Sequence, residues 1–193
     1  MNTVGSRLRS VSDRVHILTI VSPAKPLVIS VALGLMVGLV AVGFRSLIGW
    51  SNGLFFPHDP EHLFIIGRWW KYLICLIPAV GGLLVGIAMR YFVARDKAIS
   101  GVPEVIESVL LKGGRLDLRM GLKGLLSAVT IGSGGSAGPE GPIVEIGASL
   151  SSFVGQKLQL SGSDLRLLAG CGSAAGIAAV FGAPLGGIFF ALE

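Results

Sequence analysis

Charged residues are scarce in this chain. Of its 193 residues only 14% are Asp, Glu, Lys or Arg, whereas an average soluble domain has roughly 25%. The chain is 52% hydrophobic and contains uncharged runs that are long enough to cross a bilayer. The composition therefore argues against a soluble domain and predicts an integral, multi-pass membrane protein surrounded by lipid.

Residues that bind metals or perform covalent catalysis are also few. Cys75 and Cys171 lie in apolar segments without a C-x-x-C spacing, so we expect two buried thiols, no disulfide and no metal site. The net charge of +5 lies in the N-terminus and the loops, without the basic patch and interleaved aromatic residues of a nucleic-acid-binding protein. We therefore predict that the protein is not an enzyme and that it binds neither a cofactor nor nucleic acid. The histidines, all in polar segments, are His16, His58 and His62.

Two apolar segments, 27–44 and 73 to about 94, predict simple membrane spans. The first contains no charged residue, and the second has Arg90 near its far end, where a long basic side chain can reach the interface. Basic residues concentrate before the first segment and in 95–119, whereas the polar loop between the spans, 51–67, is not basic. By the positive-inside rule, the N-terminus and the 95–119 loop are cytoplasmic. The sequence thus predicts a cytoplasmic segment at 1–26 and a membrane domain at 27–193.

Glycine, serine and proline interrupt the apolar stretches after residue 119, which run over 120–137, 142–156 and 167–192. This pattern predicts an all-α protein in which short or broken helices pack closely. Irregular backbone at membrane depth is tolerated only where it is buried in protein or lines a cavity. We therefore expect a polar pathway at these breaks.

Three segments combine glycine, then proline, then an apolar helical run: 100–104, 138–142 and 181–184. Proline fits the first turn of a helix, and glycine lets the backbone approach a ligand. Free N–H groups and the positive end of the helix dipole attract anions there. Proline begins many ordinary helices as well. Several such starts on discontinuous helices predict an anion site near the middle of the bilayer.

Glu140 is the most informative residue of the second start, because a carboxylate at membrane depth is costly and therefore suggests function. Ionised, it competes with an anion for the positive helix ends; protonated, it releases them and acts as a gate. Glu145 lies about 140° further round the helix, so it is either a paired structural residue or a second polar lining group. Glu104 and Glu107 are predicted to be solvated or to complement a helix dipole.

These segments resemble the ClC family of chloride channels and chloride/proton antiporters. Gly-Pro-Glu-Gly-Pro at 138–142 is similar to the family's G-[KR]-E-G-P element, and Ser-Gly-Val-Pro at 100–103 is similar to its G-S-G-I-P element. The stretch 182–193 resembles the one that follows them. Ile99 and Pro139 depart from the pattern, standing where the family has glycine and a basic residue.

The resemblance implies broken, re-entrant helices, the N-terminal half of the ClC inverted-repeat fold, and a homodimer in the complete protein. It implies chloride transport, by a voltage-gated channel or by exchange with protons, with Glu140 as the gating glutamate. Ser100 would coordinate the anion, although it also suits a helix cap. The anion-binding positions implied by the resemblance are Ser100, Gly101, Val102, Pro103, Gly138, Gly141 and Pro142.

The resemblance covers most of 27–193 but only the first of the family's two inverted halves, so the expected membrane domain is incomplete. One alternative is a truncated, non-conducting half that acts only by association with a full-length partner. Another is a transporter of a different small anion, such as fluoride or nitrate. The glutamate that transfers protons in the antiporters would fall one position after Glu193.

Overall fold

A computed structural model describes residues 24–56, 76–92 and 101–193, and in that part of the chain all regular structure is helical. The predicted all-α class is confirmed. The apolar runs after residue 119 form separate helices, two of them on either side of a break at 182–183. The helices are α1 (Ala24–Phe55), α2 (Ile77–Phe92), α3 (Val102–Leu111), α4 (Leu118–Gly132), α5 (Glu140–Lys157), α6 (Gly162–Phe181) and α7 (Pro184–Leu192).

Two described helices are long and apolar enough to cross a membrane, namely Leu27–Phe55 of α1 and Gly162–Phe181 of α6. A shorter apolar helix, Ile77–Tyr91, lies within the predicted second span. Several predictions fall outside the described residues: the segment 1–23, most of the 51–67 loop, Cys75, Ser100 and the three histidines. Cys171 is half-buried on α6 rather than fully buried.

The predicted loop after the first span begins too early, because α1 remains helical through Phe55. The polar residues at this end of α1 contact the C-terminal end of α4. Ser51 is buried, and the Asn52 amide donates to the Gly132 carbonyl at 3.2 Å. A β-carbon on Gly132 would lie 2.5 Å from the Ser51 β-carbon. The Asn52 side chain here donates a hydrogen bond to a carbonyl at the end of a neighbouring helix, so the polar residues of this segment do not indicate a loop.

Helix α5 occupies the centre of the described structure and contacts α1, α3, α4 and α6. Its middle is buried on all sides, and apolar residues from the surrounding helices pack against it. Burial on every side is typical of a helix inside a bundle rather than one at its surface. The core residues from α5 are Ile143, Val144, Ile146 and Ala148, joined by Phe44, Val105, Met120 and Ala169 from the other helices.

Small residues bring α5 and α6 into backbone contact. A β-carbon on Gly172 would lie 2.7 Å from the Gly147 carbonyl carbon, and one on Gly176 would lie 2.9 Å from the Ile143 oxygen. Small residues at helix crossings are a common feature of membrane proteins, since van der Waals contact between helices replaces the hydrophobic effect there. The two helices can therefore approach only because these positions lack side chains.

The chain reverses between α6 and α7 through Gly182, whose φ of 64° lies in the left-handed region. Glycine adopts this conformation at little cost and commonly ends helices in this way. Pro184 then begins α7, as the sequence predicts, and Gly187 packs α7 against Ala174 and Ala178 of α6.

Candidate anion site

The N-terminal ends of α3 and α5 meet at two glycines. Gly101, with φ of 85°, immediately precedes α3, and Gly141 is the second residue of α5. A β-carbon on Gly141 would lie 3.5 Å from the Gly101 α-carbon, and one on Gly101 would lie 3.9 Å from the Gly141 α-carbon. The structure thus brings together two of the three predicted helix starts, with no side chain between them.

Two helix N-termini in contact place two positive dipole ends at one point. In each helix the first hydrogen bonds begin only after this turn: Glu104 N–H donates to Gly101 O at 3.2 Å, and Ile143 N–H donates to Pro139 O at 3.0 Å. The preceding N–H groups have no partner within their own helix. Pro103 and Pro142 carry no N–H, so they shape these turns without donating to an anion.

Glu140 is the first residue of α5, and its side chain folds back over Gly138. A β-carbon on Gly138 would lie 2.8 Å from the Glu140 carboxyl carbon and closer still to its Oε2. Any larger residue at 138 would therefore displace the carboxylate. Glu140 is exposed in the described structure. Its carboxylate lies at the positive end of α5, where an anionic group is favoured.

Glu145 is buried, with 2% of its surface exposed, and its Oε1 accepts a hydrogen bond from the Gly101 N–H. It follows Gly141 by four residues, so the two lie on the same face of α5, one turn apart. The sequence left open whether Glu145 is a paired structural residue or a second polar lining group. This contact supports the first role, because it gives Glu145 a partner immediately before α3. The N–H of Gly101 is therefore occupied by a carboxylate of the protein itself.

The environment of Glu104 differs from the solvated position that the sequence allowed for it. Glu104 is 5% exposed rather than solvated, and its carboxylate pairs with the Lys123 ammonium of α4. Glu104 still lies in the first turn of α3, as a residue that complements the helix dipole would. Lys123 was the available signal in the sequence, because it is an isolated cation within an apolar stretch and required a partner.

A sequence model of the voltage-gated chloride channel family matches residues 81–193, which include both helix starts and α7. The Arabidopsis thaliana chloride channel protein CLC-e is 38% identical over 128 residues, covering 66% of this chain and 17% of the relative.

Two bacterial relatives match more of the chain. The H+/Cl− exchange transporter ClcA of Salmonella arizonae is 32% identical over 178 residues, which cover 89% of this chain and 36% of ClcA. The voltage-gated ClC-type chloride channel ClcB of Yersinia pestis is 31% identical over 170 residues, which cover 86% of this chain and 41% of ClcB. The chain thus spans less than half the length of each of these relatives. It belongs to the voltage-gated chloride channel (ClC) family of integral membrane proteins.

Proposed function

We propose that the protein containing this chain moves chloride across a membrane, with Glu140 as a protonatable gate. The observation that carries the proposal is the meeting of the α3 and α5 N-termini at Gly101 and Gly141, with the Glu140 carboxylate at the start of α5. Backbone N–H groups and dipole ends form a site for an anion without a fixed cation. The relatives named as a chloride channel and as an H+/Cl− exchanger support chloride as that anion.

The gate operates by competition for one positive region. Ionised Glu140 is held at the helix ends and repels an entering anion, whereas the protonated side chain has no charge and yields the position to chloride. Gly138 supports this role, because it leaves room for the carboxylate beside the helix start. Pro139 places no cation there, so the attraction for chloride comes from the helix ends rather than from a neighbouring basic side chain.

Ser100 completes the proposed site as a hydroxyl donor next to Gly101. Val102 and Gly141 contribute backbone N–H groups, and Pro103 and Pro142 set the direction of the two turns. In the complete protein we propose a homodimer whose N-terminal segment, 1–26, faces the cytoplasm.

The test is chloride efflux from liposomes that contain the full-length protein, measured between pH 4 and pH 8. Glu140→Gln removes the charge and keeps the size, so we expect the flux to lose its dependence on pH. Glu107→Gln, the same chemical change one turn along α3 from Glu104, is the matched control and should keep that dependence. Unchanged pH dependence in Glu140→Gln would remove Glu140 as the gate.

The same liposomes distinguish a channel from an exchanger. In a chloride gradient an exchanger drives protons against their own gradient, whereas a channel does not. The truncated-half alternative is tested with the purified 193-residue chain: chloride flux from this chain alone would exclude it. Loss of flux when the chain is co-expressed with a full-length homologue would support it.

A further inference from the structure

A groove that the proposed gate does not use lies between α1, α4 and α5. It is partly open and has a volume of about 420 Å³, within the range of roughly 300–1,000 Å³ that is typical of sites for small ligands. Apart from one arginine and one serine, its lining is apolar. The apolar walls include Val40 of α1, Leu122 and Leu125 of α4, and Ile146 and Leu150 of α5.

The two polar side chains at the groove differ in what they can offer a ligand. The Ser149 hydroxyl donates to the Ile146 carbonyl of its own helix at 3.2 Å. The guanidinium of Arg119 contacts only the Asp117 carboxylate among the described residues, with 3.9 Å between Nε and Oδ2, and the two side chains are 63% and 66% exposed. Because arginine has five N–H donors, this loose pair leaves most of them for a ligand. The groove therefore suits a molecule with an apolar part and an anionic end.

The end of the bundle that contains Arg119 has an excess of exposed cations. The α3–α4 connection contacts α5 and α6 there: the Gln156 amide donates to the Leu116 carbonyl at 3.0 Å, and a β-carbon on Gly114 would lie 2.6 Å from the Arg166 nitrogen. The segments 112–119 and 156–166 together contain five basic and two acidic residues. The basic residues, all exposed, are Lys112, Arg115, Arg119, Lys157 and Arg166.

Large apolar side chains are exposed beside these cations, among them Leu111, Leu118, Leu158 and Leu167. Exposed leucines interspersed with basic residues are typical of a surface in contact with lipid headgroups and the adjoining acyl chains. The positive-inside rule predicts that this end is cytoplasmic. Anionic lipids of the cytoplasmic leaflet attract basic segments, and basic pockets between membrane helices on that side bind their headgroups.

We propose that the groove between α1, α4 and α5 binds one acyl chain of an anionic phospholipid from the surrounding bilayer, and that Arg119 binds the phosphate of the same lipid. A guanidinium can form two parallel hydrogen bonds with a phosphate group, which adds geometric specificity to the attraction of charge. The apolar walls contact the acyl chain. The inference goes beyond chloride transport and requires only that the protein lies in a membrane, as its family does.

The test compares two lipids with identical chains, dioleoyl phosphatidylglycerol and dioleoyl phosphatidylcholine. Their binding to the purified full-length protein is measured by native mass spectrometry from detergent in chloride-free buffer, so the result does not depend on chloride transport. One basic residue beside an anionic lipid contributes roughly a five-fold factor in affinity. We therefore expect wild type to prefer phosphatidylglycerol by about five-fold or more, and Arg119→Gln to reduce that preference to less than about two-fold.

Arg166→Gln is the matched control for the charge, because Arg166 is exposed at the same end of the bundle but does not line the groove. It should keep the preference for phosphatidylglycerol. Val40→Trp places a larger side chain in the groove and should weaken the binding of both lipids. Leu39→Trp, at the next position on α1, is its control, since Leu39 is 76% exposed and lies outside the groove.

Three results would overturn the proposal. The first is an undiminished preference for phosphatidylglycerol in Arg119→Gln. The second is an equal reduction in Arg119→Gln and Arg166→Gln, which would indicate diffuse attraction to the basic surface rather than a site. The third is wild-type lipid binding by folded Val40→Trp, as expected if another part of the full-length protein fills the groove. If Val40→Trp does not fold, the comparison of Arg119→Gln with Arg166→Gln decides.

Discussion

The ammonium group of Lys123 contacts the carboxylate of Glu104 where both are almost completely hidden from solvent, with 7% and 5% of each residue exposed. Breaking a buried ion pair by removing one partner leaves an uncompensated charge and costs about 3–5 kcal/mol. We expect that loss in the free energy of unfolding of Lys123→Met, measured by detergent-to-SDS titration.

The double variant Glu104→Gln/Lys123→Met removes both charges and should recover most of the stability, because neither group is then left charged and unpaired. Arg119→Met is the control, since it removes a pair with Asp117 that is largely exposed, and it should change stability little. A double variant no more stable than Lys123→Met would show that the pairing is not what stabilises this contact.

Ser152 links the α3–α4 connection to α5. Its hydroxyl donates to the Gly114 carbonyl at 2.6 Å and accepts from the Leu116 N–H at 2.9 Å, and the residue is fully buried. Ser152→Ala should cost about 1–3 kcal/mol in the same titration, because two backbone groups lose a partner. Ser151→Ala is the matched control: the Ser151 hydroxyl is also buried but has no hydrogen-bond partner among the described residues. Equal losses in the two variants would contradict the assignment.

Alanine substitutions at Gly113 and Gly114 distinguish the cost of backbone strain from the cost of steric contact. Both have positive φ, 63° and 79°, so alanine at either position costs about 1–2 kcal/mol. A β-carbon on Gly114 would also lie 2.6 Å from the Arg166 nitrogen, whereas one on Gly113 would meet nothing within 4 Å. Gly114→Ala should therefore lower the melting temperature further than Gly113→Ala. Similar shifts would mean that α6 moves aside freely.

The backbone contact between α5 and α6 predicts that Gly172→Ala disrupts packing. A β-carbon there would lie 2.7 Å from the Gly147 carbonyl carbon, and insertion of atoms into a packed core typically costs about 1–3 kcal/mol. Gly170→Ala, on the same helix with nothing within 4 Å, should be neutral or stabilising because alanine favours helix over glycine. The recovery of folded protein after size-exclusion chromatography compares them. A Gly172→Ala yield equal to that of Gly170→Ala would contradict the prediction.

The features that the sequence predicted correctly depend on local chemistry. Proline in the first turn and glycine before it mark the starts of α3, α5 and α7 whatever surrounds them, so Pro103 and Pro184 are informative without a structure. The all-α class follows equally from long apolar runs with glycine breaks. These are short-range rules that need no knowledge of neighbouring helices.

The features that the sequence did not predict depend on contacts between distant residues. The C-terminal end of α1 is helical where Asn52 contacts Gly132, which lies 80 positions further along the chain. Rules based on neighbouring residues cannot predict a contact at that separation. Glu104 has the sequence context of a solvated residue, yet Lys123 draws it into the core. The contact of Glu145 with Gly101 likewise joins residues 44 positions apart. Only the tertiary arrangement decides whether such polar groups are exposed or paired.

Helix α1 contains 32 residues and is about 48 Å long, whereas the hydrocarbon core of a bilayer is about 30 Å thick. The candidate span Leu27–Phe55 covers 29 residues, of which the uncharged part, 27–44, is about 27 Å long, so the end of α1 that contains Arg45, Ser51 and Asn52 extends beyond the hydrocarbon core unless the helix tilts. The same helix contacts the C-terminal ends of two others, through Asn52 to Gly132 of α4 and through Arg45 to Val180 of α6. Any tilt of α1 is therefore coupled, through these two contacts, to the positions of the ends of α4 and α6.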